Sequence, residues 1–161
     1  MDFRLFSFGN LLSILFGLTT EDQSRQIMNL YEARWDELVG IMPLKIVYPA
    51  VDGDKWRYTT GSDPKNVPWS YHNGGNWPCL IWAFVGAAIR TGRRDLAQRV
   101  LSQAGQKLME DNWPEYYDGK KGSLIGRRAN LRQTWSATSI ILANHFLDNP
   151  DAAAVFESIN F

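Results

Sequence analysis

Helix-forming stretches of this chain alternate in character, and that alternation restricts the fold more than any other feature of the sequence. Residues 10–18, 78–89 and 133–147 are apolar nearly all round at helical spacing. The second carries Leu80, Ile81, Trp82, Phe84 and Val85, the third Trp135, Ile140, Ile141, Leu142 and Phe146. Residues 20–38 and 94–110 each show one apolar stripe: Ile27, Tyr31, Trp35 and Leu38 in the first, Leu96, Val100, Ala104 and Leu108 in the second. A helix that is hydrophobic all round must be covered on every side, whereas a single stripe marks a helix on the outside. Inner and outer helices taking turns describe an all-α, double-layered toroid. A four-helix bundle would show one stripe on every member.

Local signals agree with these boundaries. Thr20 stands as an N-cap with Glu21 and Asp22 behind it, Pro78 suits a first helical turn, and Gly92 stops the helix that Pro78 opens. Links from an inner to an outer helix are short, Thr19-Thr20 and Thr91 to Arg93. Links from outer to inner are long, about residues 39–77 and 111–132, and connections of that length inside a compact domain are usually functional. Both long links lead into the N-terminal end of an inner helix, so they open at one end of the toroid, where Asn10 also belongs. The first is expected to hold a β-hairpin, Lys45–Val51 with Lys55–Thr59, turning at Asp52-Gly53.

Five helices in 161 residues is about 32 residues for each helix with its connections, so a closed ring of twelve needs on the order of 390. Residues 1–161 are therefore expected to be the C-terminal part of something larger, whose N-terminal part is absent.

Composition excludes several function classes. Lys+Arg and Asp+Glu are both 17, which leaves no basic field for nucleic acid or a membrane surface. The longest apolar run, Leu11–Leu18, is far short of the roughly 20 residues that cross a bilayer. As a secretion leader it lacks a positive start and a good cleavage site, so it is read as a buried helix. Cys79 is the single cysteine, which excludes an internal disulfide and a thiolate cluster and points to the cytoplasm. His72 and His145 have no metal-ligand spacing, so no metal is expected. The Arg90, Arg93, Arg94 and Arg99 group reads as a solvated face.

Two segments could carry chemistry. The second long link contains Asn112-Trp113-Pro114-Glu115-Tyr116-Tyr117-Asp118-Gly119. A carboxylate set between a proline and two tyrosines is partly desolvated, which suits acid–base work, and Arg128 or Arg132 could orient it. The same stretch would also serve as a plain turn with a surface acid. The first link ends in Trp69-Ser70-Tyr71-His72-Asn73-Gly74-Gly75-Asn76-Trp77-Pro78. Its aromatics offer flat apolar faces to a sugar, His72 and Asn73 offer donors and acceptors, and paired glycines let backbone approach a ligand. A glycine turn beside a helix start explains it equally well.

At these segments the chain resembles the alkaline/neutral invertases, glycoside hydrolases that split sucrose. The resemblance is carried by Phe8-Gly9-Asn10-Leu11, Glu32–Gly40, Met42–Ile46, Gly61–Asn66, the Trp69–Pro78 block, Trp113–Gly119 and Gln133-Thr134-Trp135-Ser136. It runs from about Phe6 to Pro150, with Val67 and Cys79 departing from the family's pattern. It implies the C-terminal part of an (α/α)6 toroid and inverting hydrolysis of sucrose to glucose and fructose by two carboxylates without a cofactor. The family's base falls on Glu115, and Tyr71, His72, Asn73, Trp77, Tyr117, Arg132, Gln133 and Trp135 are the implied sugar-binding residues. No acid in this chain matches the family's general-acid aspartate, so the isolated chain is expected to be inactive. The alternative is a non-catalytic remnant serving as a helical interaction or sugar-binding surface. Self-association into a homo-oligomer fits either reading, because half a ring exposes apolar helix faces.

Overall fold

The computed structural model describes residues 4–53, 55–60, 62–125 and 129–158 of the chain. It is mostly helical, with one two-stranded antiparallel sheet. In order come β1 (Leu5–Phe6), α1 (Ser7–Leu15), α2 (Glu21–Ala33), α3 (Trp35–Leu38) and β2 (Val47–Tyr48), then α4 (Lys55–Thr60) and a 3₁₀ turn Pro78–Leu80 running into α5 (Ile81–Arg90). α6 (Arg94–Glu110), α7 (Thr134–Asp148) and a terminal 3₁₀ segment Pro150–Ser158 complete the chain.

α5 is the centre. Ile81, Phe84, Val85 and the small residues Ala83, Gly86, Ala87 and Ala88 are buried, and α1, α6 and α7 all pack on it. Gly86 is needed there, because a Cβ at that position would stand 2.7 Å from Leu15 of α1 and 3.3 Å from the Phe146 ring of α7. α6 presents the expected stripe, burying Leu96, Val100, Ala104 and Leu108. α2 begins as the sequence reads. Gln23 N–H donates to Thr20 Oγ1 (3.2 Å), and Thr20 N–H donates to Gln23 Oε1 (2.9 Å), a reciprocal capping box.

Several expectations need correction. α1 spans residues 7–15 rather than 10–18. Ser7 is buried, its Oγ donating to the Lys45 carbonyl (2.5 Å), and Gly17 at φ 65° ends the helix by a left-handed turn. The stretch 20–38 is two helices, since Arg34 leaves helical geometry (φ −119°, ψ 39°). That break sets both Tyr31 and Trp35 edge-on to Phe84, at 5.4 and 5.9 Å. The expected hairpin does not form. Val47–Tyr48 pairs instead with Leu5–Phe6, in the register Leu5↔Tyr48 and Phe6↔Val47, and Lys55–Thr60 is helical. Pro49 has no N–H to donate, so a ladder cannot continue from Tyr48 to Val51.

α7 is not buried on every side. Its buried seam is Ser136, Ser139, Ala143 and Phe146, while Trp135 and Ile141 are 47% and 71% exposed. The arginines are not simply solvated either. Arg93 pairs with Glu32 and Asn29 of α2, Arg94 donates to the Leu147 carbonyl (2.6 Å), and Arg99 lies 4.0 Å over the Trp35 ring. The terminal segment was not foreseen: Phe156 packs against Phe16, Trp82 and Phe146 at 5.3, 5.8 and 6.1 Å.

Candidate active site

The two long links meet at the N-terminal ends of α5 and α7. Their join is backbone to backbone. Asn76 and Tyr117 exchange both N–H···O bonds (3.0 and 2.8 Å), and Gly119 N–H donates to the Trp69 carbonyl (2.8 Å); within the first link Trp77 N–H donates to the Leu44 carbonyl (2.7 Å). Glycine is required at the closest approach. A Cβ on Gly119 would lie 1.8 Å from the Gly74 carbonyl oxygen, and one on Gly75 2.6 Å from the Tyr71 carbonyl oxygen. Gly119 therefore admits the other link, and Gly75 the backbone of the first link's own Tyr71, where a ligand was expected to approach the paired glycines. Asn10 lies within α1 and donates from Nδ2 to the Phe6 carbonyl (2.8 Å).

Backbone strain gathers in the same segments. Every non-glycine residue with positive φ among the described residues is here: Trp69, Tyr71, Asn112, Trp113 and Arg132, at φ 47–69°. Such conformations cost on the order of 1 kcal/mol or more each and persist where surrounding bonds over-determine them. Those bonds are present. Arg132 N–H donates to the Asn112 carbonyl (2.8 Å), Gln133 N–H to the Trp113 carbonyl (2.8 Å), and Glu115 N–H to the Asn130 carbonyl (2.7 Å), closing 112–115 against 130–133. Ser136 Oγ adds a bond to the Pro114 carbonyl (2.8 Å).

Trp77 anchors an aromatic wall. It stacks on Tyr116 (5.6 Å, 21°) and on His72 (5.1 Å, 27°), tilts against Tyr71 (5.2 Å), and meets Trp135 edge-on (5.7 Å). Its indole N–H donates to the Tyr71 carbonyl (3.0 Å), and Tyr71 stacks on His72 at 4.0 Å with Lys65 Nζ 4.3 Å over its ring. Glu115 is 8% exposed, and its Oε2 accepts a bond from Asn130 Nδ2 (3.0 Å). Desolvation lowers the His72 pKa from its ordinary value and Lys65 adds to this, while the charges of Glu115 and Asp63 pull the other way.

Beside this wall, Phe8, Cys79, Trp82, Thr134, Trp135, Thr138, Ser139 and Leu142 line an open, mostly apolar cleft between α1, α5 and α7. Trp135 belongs to both wall and cleft. Burial pushes the Cys79 thiol up to about 12, with the Glu115 charge adding to the effect, so this thiol is poorly nucleophilic at neutral pH. Among the described residues no cluster of three His, Cys, Asp or Glu is placed to hold a metal ion.

The structure thus brings together Tyr71, His72, Trp77, Glu115 and Trp135 of the expected residues, and leaves the others elsewhere. Asn73 is buried and its amide is committed to the first link: Nδ2 donates to the Val51 and Asn66 carbonyls (2.9 and 3.1 Å), and Oδ1 accepts from Val51 N–H (2.7 Å). Tyr117 points away toward α6. Lys107 Nζ lies 5.4 Å over its ring and 2.8 Å from Asp111 Oδ2, and burial raises the phenol well above its ordinary value. Gln133 stands at the N-cap of α7, half-buried. Arg132 is exposed and acts through its backbone, and Arg128 lies outside the described residues. Asn130 is the partner of Glu115 that sequence reasoning missed; an asparagine in an unpatterned loop carries no signal of its own.

Residues 1–150 match the family of alkaline and neutral invertases. The chain is 52% identical to neutral/alkaline invertase 1, mitochondrial, of Oryza sativa subsp. japonica, over 96% of this chain and 25% of that protein. It is 53% identical to probable alkaline/neutral invertase F of Arabidopsis thaliana (93% of this chain, 30% of that one). To cytosolic invertase 1 of Oryza sativa subsp. japonica it is 51% identical, over 93% of this chain and 27% of that one. The chain therefore spans between a quarter and a third of the length of these relatives. Their names place them in different compartments, and no helix among the described residues is long and apolar enough to cross a membrane.

Proposed function

This chain belongs to the alkaline and neutral invertase family, and on that premise we propose that it forms one wall of a site that hydrolyses sucrose to glucose and fructose. In this reading residues 1–161 are the C-terminal part of an (α/α)6 catalytic domain. α1, α5 and α7 belong to the inner ring, and α2 and α6 to the outer one. Glu115 takes the proton from a water molecule as that water attacks the anomeric carbon, which inverts its configuration. The leaving fructose oxygen is protonated by a second carboxylate, supplied by the remainder of the domain across a gap of roughly 6.5–9.5 Å that admits the water. Tyr71, His72, Trp77 and Trp135 offer ring faces and edges to the sugar. We place the protein in the cytoplasm, where one of its named relatives resides.

The observation that carries this reading is a nearly buried carboxylate, Glu115, held at a wall of stacked rings on a strained, heavily bonded frame. In the complete enzyme, Glu115→Gln is expected to lose about 10²–10⁴-fold in turnover while still binding sucrose, since shape is kept and the base is removed. Glucose release within tenfold of the parent removes Glu115 from this role. The exposed Trp135 and Ile141 favour a second reading, in which the chain is a non-catalytic helical interaction surface; an inactive parent enzyme with all its parts present would select it.

A further inference from the structure

We propose that Asn130 is the positioning residue of Glu115, deciding which of its two carboxylate oxygens is left to take up a proton. The inference rests on the reading of Glu115 as the base. Asn130 holds Glu115 at two points: its backbone carbonyl accepts the Glu115 N–H (2.7 Å), and its side-chain Nδ2 donates to Oε2 (3.0 Å). The backbone bond fixes the Cα of Glu115 relative to the 129–133 segment, and the side-chain bond then fixes the torsion of the carboxylate. Asn130 engages Oε2 and not Oε1, so the two oxygens are not equivalent.

The chemistry of the amide suits this task. A cation in the same place would hold the carboxylate as firmly but would lower its affinity for a proton, which works against a base. A neutral amide donates a hydrogen bond and carries no charge, so it restrains the carboxylate while favouring its ionised form less than a cation would. The frame around Asn130 is rigid enough to make the restraint count. Ala129 is buried beside it, Arg132 and Gln133 are bonded to Asn112 and Trp113, and residues 112, 113 and 132 are locked at positive φ. Misplacement of a reacting group by a fraction of an ångström is costly in such a step.

Three substitutions in the complete enzyme separate orientation from shape. Asn130→Asp keeps the shape and replaces the donor with a like charge. Asn130→Gln changes the length and keeps an amide donor. Asn130→Leu removes the donor alone. Positioning predicts that kcat falls most for Asp, by about 10²-fold, by about 10-fold for Leu, and least for Gln, within about 3-fold, with KM for sucrose nearly unchanged throughout. A purely structural role predicts the reverse, with the isosteric Asp best tolerated, and that ranking overturns the proposal. A rise in KM at unchanged kcat also overturns it, making Asn130 a substrate contact. Glu115→Gln, assayed in parallel, keeps the two ideas apart. If it retains turnover, the base assignment fails by itself; if it is inactive while all three Asn130 variants match the parent, only the positioning role fails.

Discussion

α5 and α7 are both apolar helices opening from the same end of the molecule, yet one is mostly buried and the other leaves large apolar side chains exposed. α5 has α1, α6 and α7 around it, and seven of its residues are buried. α7 turns a seam of Ser136, Ser139 and Ala143 toward α5 and leaves Trp135 and Ile141 exposed. Small residues let the two helices approach closely, and their hydroxyls close backbone bonds: Ser139 Oγ donates to the Pro78 carbonyl (2.9 Å) and accepts Trp82 N–H (3.0 Å). An apolar face costs nothing to a chain that later covers it. The neighbours of α5 are in these 161 residues, and the difference teaches that α7 keeps an apolar face open, which the proposed reading assigns to the remainder of the domain.

The comparison breaks most sharply at Phe84. It is fully buried in α5 against Tyr31 and Trp35, so Phe84→Ala should cost about 3–5 kcal/mol, the transfer term plus the cavity left behind. Against a total of about 5–15 kcal/mol that is enough to leave much of the chain unfolded. Denaturant titration of the two proteins measures it. A loss below about 1 kcal/mol would mean that α5 is not the centre.

What was legible in the sequence was whatever is decided locally. The N-cap at Thr20, the stripe of α6 and the stop at Gly92 depend on residues a few positions apart, and each stands as read. The meeting of the two long links is also legible, because both lead into the N-terminal end of an apolar helix. The expected hairpin fails because Pro49 removes a ladder N–H from Lys45–Val51, and the partner strand lies some forty residues upstream. At the site, Glu115 between Pro114 and Tyr116 announces itself by its neighbours. Asn73 and Gly75 look like ligand contacts, but their partners are backbone atoms brought in by folding. Asn130 meets Glu115 across fifteen residues, through a zipper that no periodicity describes.

The seam between the two helices gives a middle-sized effect. Ser139→Ala deletes the acceptor of the Trp82 N–H, while the Pro78 carbonyl keeps its bond from Ile81. Leaving one buried donor unpaired should cost about 1–3 kcal/mol. The backbone amide of Trp82 should also exchange with solvent faster than those of residues 84–88, which stay in the interior of α5. If the variant is as stable as the parent and this amide keeps its protection, water replaces the hydroxyl and the seam is looser than its distances imply.

The smallest effect on stability belongs to Ile141, and it is the most informative about what α7 lacks. Ile and Ser have similar helix propensity, and this side chain is 71% exposed, so Ile141→Ser should change unfolding free energy by no more than about 0.5 kcal/mol in either direction. Its effect should appear in association instead. With Trp135 on the same helix 47% exposed, the parent chain alone presents an apolar face that a second copy can cover. Size-exclusion chromatography of the isolated chain is expected to show oligomer or aggregate, and Ile141→Ser is expected to shift it toward monomer at equal concentration. In the complete domain the same substitution should cost more, about 1 kcal/mol or above, because the face is then interior. Equal costs in the isolated chain and in the complete domain would place Ile141 in solvent in both, and the ring that the helix alternation describes would not close over α7.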